Sequence, residues 1–354
     1  MSKQIMVIGG AFVNLLLLCA LVYVWWLAPR TTETALHQPG RLGPNAPHYK
    51  IAFMHTIQTR DFEEEFQGFV DTLRKEAQFV PEVKIFDANN SRTLMHNSIE
   101  EVLENNYDLI VVTASQGAQM LREMTAKRNS QIPVVFLGTG HPVKLELVES
   151  LESSGNNLTG VCMLGDKWVK SMASLTSLVL PKVQNILIPY NPNSLGGAVE
   201  SYAKRLAEAC EDRGYKVQMM EVFNHAEVME RVGARIDDTD LIMVMPDATM
   251  IEAVGALSKL GEQHNVGVFV SFNMSQITEG ATMCYGVQPY DVGVEGAHSA
   301  RLILEDKELP TNIPVNGMYD SYRLAVNVDT ARAQGLLDQI DPTLLFLMEH
   351  GEVI

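Results

Sequence analysis

Two segments constrain the fold more than any others: Ile110-Val-Val-Thr-Ala-Ser115 and Pro133-Val-Val-Phe-Leu-Gly-Thr-Gly-His-Pro-Val143. Each is an unbroken apolar run that stops abruptly in small, hydroxyl-bearing, Gly or Pro residues. A strand with one wet face alternates apolar and polar residues. A run without alternation has both faces covered, as in a parallel sheet between helices. In open α/β sheets the ligand sits beyond the carboxyl ends of the strands, and Thr113, Ser115, Thr139 and His141 fall at such ends. The chain is therefore expected to hold a small molecule over a sheet edge.

The same grammar runs through the chain. Lys50–His55 reads as a strand, with Thr56 just beyond it as a further candidate ligand residue. Phe62, Phe66, Phe69, Val70 and Leu73 then recur at helical spacing. Val83–Phe86, a helix around Leu94–Leu103, Asp108–Thr113, a helix through Ala118, Leu121 and Met124, and Pro133–Leu137 continue the alternation, which implies a parallel doubly wound sheet. The pattern restarts with strands at Asn185–Tyr190, Lys216–Val222, Asp240–Pro246, Val266–Ser271 and Ala281–Tyr285, and a helix lined by Val199, Tyr202, Ala203, Leu206, Ala209 and Cys210. A length of 354 residues suits two such units. The expected fold class is α/β: two doubly wound parallel-sheet lobes around a cleft, preceded by one transmembrane helix. Lobe 1 is expected over 50–163 with part of 286–320 crossing back, and lobe 2 over 164–285 with part of 321–354. Clefts between lobes commonly hold small ligands.

Ahead of the lobes, Ile5–Ala28 carries no charge. As a helix it would extend about 36 Å, enough to cross a bilayer core. Trp25 and Trp26 suit a membrane interface, and Pro29 directly after Ala28 makes a poor cleavage site. An uncleaved anchor over 1–28 is the leading reading; a cleaved signal and a lipoprotein at Cys19 are the alternatives. Lys3 and the terminal amine favour a cytoplasmic amino terminus, which puts the lobes in the periplasm on an inner-membrane anchor. Residues 29–49, with Pro39, Gly40, Gly43, Pro44 and Pro47, read as a linker. Fully extended, Thr31–Tyr49 would reach about 60 Å.

Composition narrows the function. A net charge of −16 with no basic cluster argues against nucleic acid. The four cysteines show no C-x-x-C spacing, so no metal site is expected. Cys162, Cys210 and Cys284 sit in apolar contexts; one disulfide among them is an open alternative. No H-E-x-x-H, G-x-S-x-G or Walker loop appears. Neither catalysis nor a cofactor is expected.

Each candidate ligand residue carries a plainer alternative. Thr113 and Ser115 either bind a ligand carboxylate at the next helix terminus or cap that helix. His141 either lines the cleft or completes a turn. Tyr190 is a stacking residue of the second lobe or a core aromatic. Asp247 follows the apolar Ile242–Pro246, where an unpaired carboxylate is costly to bury; a ligand cation or a helix amino terminus would supply its partner. Asn273 holds the equivalent place one strand later.

These pieces together resemble a known family. Ile132-Pro-Val-Val-Phe136, Gly140-His-Pro-Val143, Ser154-Gly-Asn-Asn-Leu-Thr-Gly-Val161, Tyr190-Asn-Pro-Asn-Ser194, Asp247-Ala-Thr249, Ile313-Pro-Val315 and the closing Asn327, Ala331, Gly335-Leu336, Pro342 and Glu352-Val-Ile354 follow, in order, the pattern of ABC transporter substrate-binding proteins of the tryptophan/tyrosine-binding type. The resemblance spans Lys50–Ile354. It implies a periplasmic-binding-protein-like type I fold, an amino-acid-like or other small organic ligand, and an ABC permease as partner. It adds Asn191, Asn193 and Thr249 to the candidate ligand residues. One departure stands out: the family's Thr-Asp before Pro-Val is Gly140-His141 here, so an anionic position becomes neutral or switchable. The expected function is membrane-tethered capture of a small ligand by hinge closure. A sensor presenting its closed form to a membrane receptor or kinase is the alternative.

Overall fold

The computed structural model describes residues 30–35, 42–43, 45–56, 59–163, 166–194 and 198–349. The expected anchor lies outside them, and no helix among the described residues is long and apolar enough to cross a membrane.

The first lobe contains β1 (Arg30–Ala35), β2 (His48–His55), α1 (Arg60–Glu76), β3 (Val80–Asp87), α2 (Arg92–Glu104), β4 (Leu109–Thr113), α3 (Ser115–Lys127), β5 (Val134–Thr139) and β6 (Leu158–Cys162). Its sheet order is β1-β3-β2-β4-β5-β6, parallel except for β1, which runs antiparallel to β3. The stretch expected as linker is thus partly sheet: Arg30 lies opposite Asp87 and Ala35 opposite Glu82. As the opening runs implied, every residue of β4 is buried. Phe53, Phe69, Val111 and Leu137 pack on one face of the sheet, and Met54, Phe86, Val112 and Phe136 on the other.

The second lobe contains α4 (Asp166–Val179), β7 (Asn185–Tyr190), α5 (Ala198–Glu211), β8 (Lys216–Glu221), α6 (His225–Gly233), β9 (Leu241–Val244), α7 (Ala248–Ile251), α8 (Val254–His264), β10 (Gly267–Asn273) and β11 (Met283–Val287). After β11 the chain makes α9 (Pro289–Leu304), then β12 (Arg323–Val326), α10 (Val328–Ala333) and α11 (Pro342–Glu349). The order is β12-β11-β10-β9-β7-β8, parallel except for β12. Its two apolar layers centre on Tyr202 and Phe269 on one face and Val244 and Val268 on the other.

Helix α9 leaves the second sheet but packs on the first lobe. A Cβ at Gly68 of α1 would lie 2.0 Å from the Tyr290 carbonyl oxygen, and one at Gly293 of α9 would lie 1.9 Å from that of Glu65. Glycine at both places lets the two helix backbones approach. The chain returns past β6, where Asn316 N donates to Gly160 O and Cys162 N to Asn316 O, and then enters β12. Two of the passes between lobes, Met163 to Asp166 and Val287 to Pro289, start at carboxyl ends of strands. Connections this short bring the carboxyl edges of both sheets to the lobe boundary.

Candidate ligand cleft

In lobe 1 the ends of β2 and β4 and the start of α3 are tied together. Thr56 Oγ1 donates to Thr113 O at 2.7 Å, Thr56 N donates to Thr113 Oγ1 at 3.4 Å, and Ser115 Oγ accepts from Gly140 N at 3.1 Å. Helix capping, the plainer role for Thr113 and Ser115, is not what they do. The residue before α3 is Ala114, at φ +66, and no side chain caps the helix. That conformation is strained for a residue with a Cβ, by about 1–3 kcal/mol, and such strain clusters at binding sites. The positive end of α3 therefore opens among three small hydroxyl residues, an arrangement suited to a carboxylate.

In lobe 2 a second cluster joins the ends of β7 and β9. Asp247 Oδ1 accepts from Met250 N at 3.1 Å and Oδ2 from Asn191 N at 3.3 Å. Asn191 Nδ2 donates to Thr249 Oγ1 at 3.2 Å, and its Oδ1 accepts from Asn193 N at 3.0 Å. Burial pushes the Asp247 carboxyl up to about 6, against the pull of the Met250, Asn191 and Thr249 amides. Asp247 thus holds the start of α7 and the end of β7 together, with part of its acceptor capacity still free. Asn193 is exposed beside it.

The remaining candidates separate. Tyr190 packs in the core with the α4 and α5 side chains, and its hydroxyl donates to Glu221 Oε1 at 3.4 Å. It is a core aromatic here. Asn273 caps nothing; its Nδ2 donates to Asp61 Oδ2 of α1, across the lobe boundary, at 2.5 Å. Nearby, Arg60 reaches Thr278 Oγ1 at 3.4 Å. His141 also crosses the boundary, its ring stacked on Tyr202 of α5 at 4.8 Å and 7°. Trp168 of α4 lies 5.6 Å from the same tyrosine ring, and the Arg205 guanidinium 4.9 Å from it. The Trp168 Nε1 is buried, with no hydrogen-bond partner among the described residues.

Asp61, Trp168, Tyr202 and Arg205 were not among the sequence candidates. Tyr202 follows the apolar stripe of α5, which hides its role at the boundary. A signal did exist for Trp168. The chain has three tryptophans, and Trp168 is the one outside the N-terminal apolar run.

Two buried ionisable groups adjoin the lobe 1 strand ends. His55 is held down to about 4 by burial, with Asp87 opposing. Glu65 is pushed well above the usual carboxylate range by burial and by Asp61. Burial also drives the Cys210 thiol up to about 12 and raises that of Cys284, so neither supplies a thiolate at neutral pH. Among the described residues no group of His, Cys, Asp or Glu could hold a metal ion. A groove of about 600 Å³ between α2 and α3, lined by Arg92, His96 and Glu123, lies on the outer helical layer, apart from the strand-end clusters.

The family described as ABC transporter substrate binding protein matches residues 50–345. The tyrosine-binding protein of Clostridioides difficile (strain R20291) is 22% identical over 289 residues, 80% of each chain. Among solved structures, a conserved domain protein from Vibrio cholerae superposes with a TM-score of 0.71 at 24% identity, covering 84% of this chain and 97% of that one. An ABC domain from Streptococcus pneumonia in complex with L-Trp gives 0.70 at 19% identity, covering 83% and 98%.

Proposed function

Since the chain belongs to the ABC transporter substrate-binding proteins, we propose that it captures one amino-acid-like molecule between its lobes and delivers it to an ABC permease. The observation that carries this reading is the pairing of two polar clusters at strand ends, one per lobe, with side-chain contacts crossing the boundary between them. The Thr56, Thr113 and Ser115 cluster at the start of α3 suits a carboxylate. Trp168, beside the Tyr202 ring that His141 and Arg205 already cover, brings a buried N–H to the lobe boundary that a polar group of the ligand can accept from. An L-Trp complex and a tyrosine-binding protein among the relatives support an aromatic amino acid. His141 stands where the family carries aspartate, which removes a fixed anion from the ligand's ammonium end. The ligand is bound and released unchanged. The apolar run Ile5–Ala28 holds the protein on the periplasmic face of the inner membrane.

Calorimetry with L-tyrosine and L-tryptophan, beside mass spectrometry of small molecules that co-purify with the protein, tests the reading. Saturable binding of one molecule per chain is expected, and His141→Asp should favour ligands carrying an ammonium group over their deaminated analogues. Failure of a folded protein to bind or co-purify any amino-acid-like molecule would sink it.

A further inference from the structure

We propose that β1 is a clip that holds the cleft-side rim of lobe 1 against the lipid surface, so that the cleft opens toward the membrane. The inference rests on the reading of Ile5–Ala28 as an anchor. What it adds is the direction in which the anchored lobe faces.

Three observations carry it. First, β1 pairs antiparallel to β3 with Arg30 opposite Asp87 and Ala35 opposite Glu82. Its first residue therefore lies at the carboxyl end of β3, on the sheet edge that bears Thr56, Thr113 and Ser115. Secondly, only Pro29 separates Ala28 from Arg30, a reach of about 7 Å. A free linker over Thr31–Tyr49 would allow about 60 Å, which leaves the lobe's attitude undetermined. Pairing from Arg30 onward converts a leash into a short mount. Thirdly, β3 would otherwise be the open edge of the parallel sheet, and β1 covers it. The sequence Arg30-Thr-Thr-Glu-Thr-Ala35 lacks the apolar alternation of a strand with a core face; the exposed ladder of β3 is what organises it. Since β3 runs Val80–Asp87, its far end stands about 25 Å further from the bilayer.

The full chain, with Cys19→Ala, is reconstituted into vesicles and labelled at a single new cysteine. The other native cysteines are buried, so the label goes to the introduced one. Thr93→Cys marks the rim at the carboxyl end of β3, and Asn106→Cys marks the opposite edge, before β4; both positions are exposed. A nitroxide on the lipid headgroup should quench a fluorophore at 93 at least several-fold more than one at 106. Adding Thr32→Pro together with Glu33→Pro, neighbours of which one must direct its N–H toward β3, should equalise the two while leaving the chain in the membrane. Equal or reversed quenching in the unmodified β1 background, with the chain still membrane-bound, would overturn the clip and spare the anchor. Recovery of a soluble chain beginning near Thr31 would overturn both.

Discussion

His55 ends β2 with its ring against Phe53 and Phe66, and burial penalises its imidazolium. Its folded pKa of about 4 lies below the ordinary 6.5, so the unfolded chain takes up the proton first. Stability from this residue is complete above pH 6.5 and is lost as pH falls toward 4. Asp247 works the other way. Its folded value of about 6 lies above the ordinary 3.8, so its contribution favours the fold below pH 3.8 and is lost as pH rises through 6. The two oppose each other across the same window. His55→Gln removes the first: between pH 6.5 and 4 the variant should gain stability relative to wild type by on the order of 3 kcal/mol, read from urea unfolding at each pH. A constant difference between the two proteins would contradict the burial argument. Asp247→Ala should lower the unfolding free energy by about 2 kcal/mol near pH 4, where the buried carboxyl carries no charge penalty, because it strips the start of α7 and orphans the half-buried Asn191 amide, and by less at neutral pH. Unchanged stability with weakened binding would assign that carboxylate to the ligand instead. At this scale the sequence was legible for position and less so for direction. Thr113, Ser115, Asn191 and Asp247 all stand at strand ends as expected. Tyr190 stands there too, yet it turns into the core, since a strand buried on both faces gives no alternation to show which way its last residue points.

Among the elements, the contact of α1 with α9 rests on two glycines. Gly68→Ala would push a methyl group to within 2.0 Å of a backbone carbonyl oxygen, and the helices must part to admit it. A loss of about 2–3 kcal/mol is expected. The control is Gly233→Ala at the end of α6, where nothing lies within 4 Å and better helix propensity should add up to about 1 kcal/mol. Urea unfolding of both separates close backbone approach from a general intolerance of glycine replacement. The strands that sequence periodicity finds are the long apolar ones, such as β4 and β7, covered by helices on both faces. It misses β1, β6 and β12 for separate reasons. β1 is polar and antiparallel, β12 is four residues long at the other sheet's edge, and β6 contains Gly160, whose Cβ would lie 2.1 Å from the Phe136 carbonyl oxygen. A glycine demanded by a neighbouring strand looks, in sequence, like a loop.

For the whole molecule, the chain passes between the lobes at Met163–Asp166, at Val287–Pro289 and on its way into β12, and three side-chain contacts bridge the boundary: His141 on Tyr202, Asn273 on Asp61 and Arg60 on Thr278. Each joins residues far apart in sequence, so none of these pairings was visible in the chain. On the proposed reading, a ligand held by both strand-end clusters would bind a closed arrangement better than an open one, and that difference in affinity would drive closure. Small-angle scattering on the chain from Arg30 onward, which keeps β1 and all of β2, measures this directly. With the ligand identified by calorimetry at saturation, the account predicts a smaller radius of gyration and a narrower distance distribution than without it. A bound ligand that leaves the scattering profile unchanged would contradict closure of two lobes around a captured molecule.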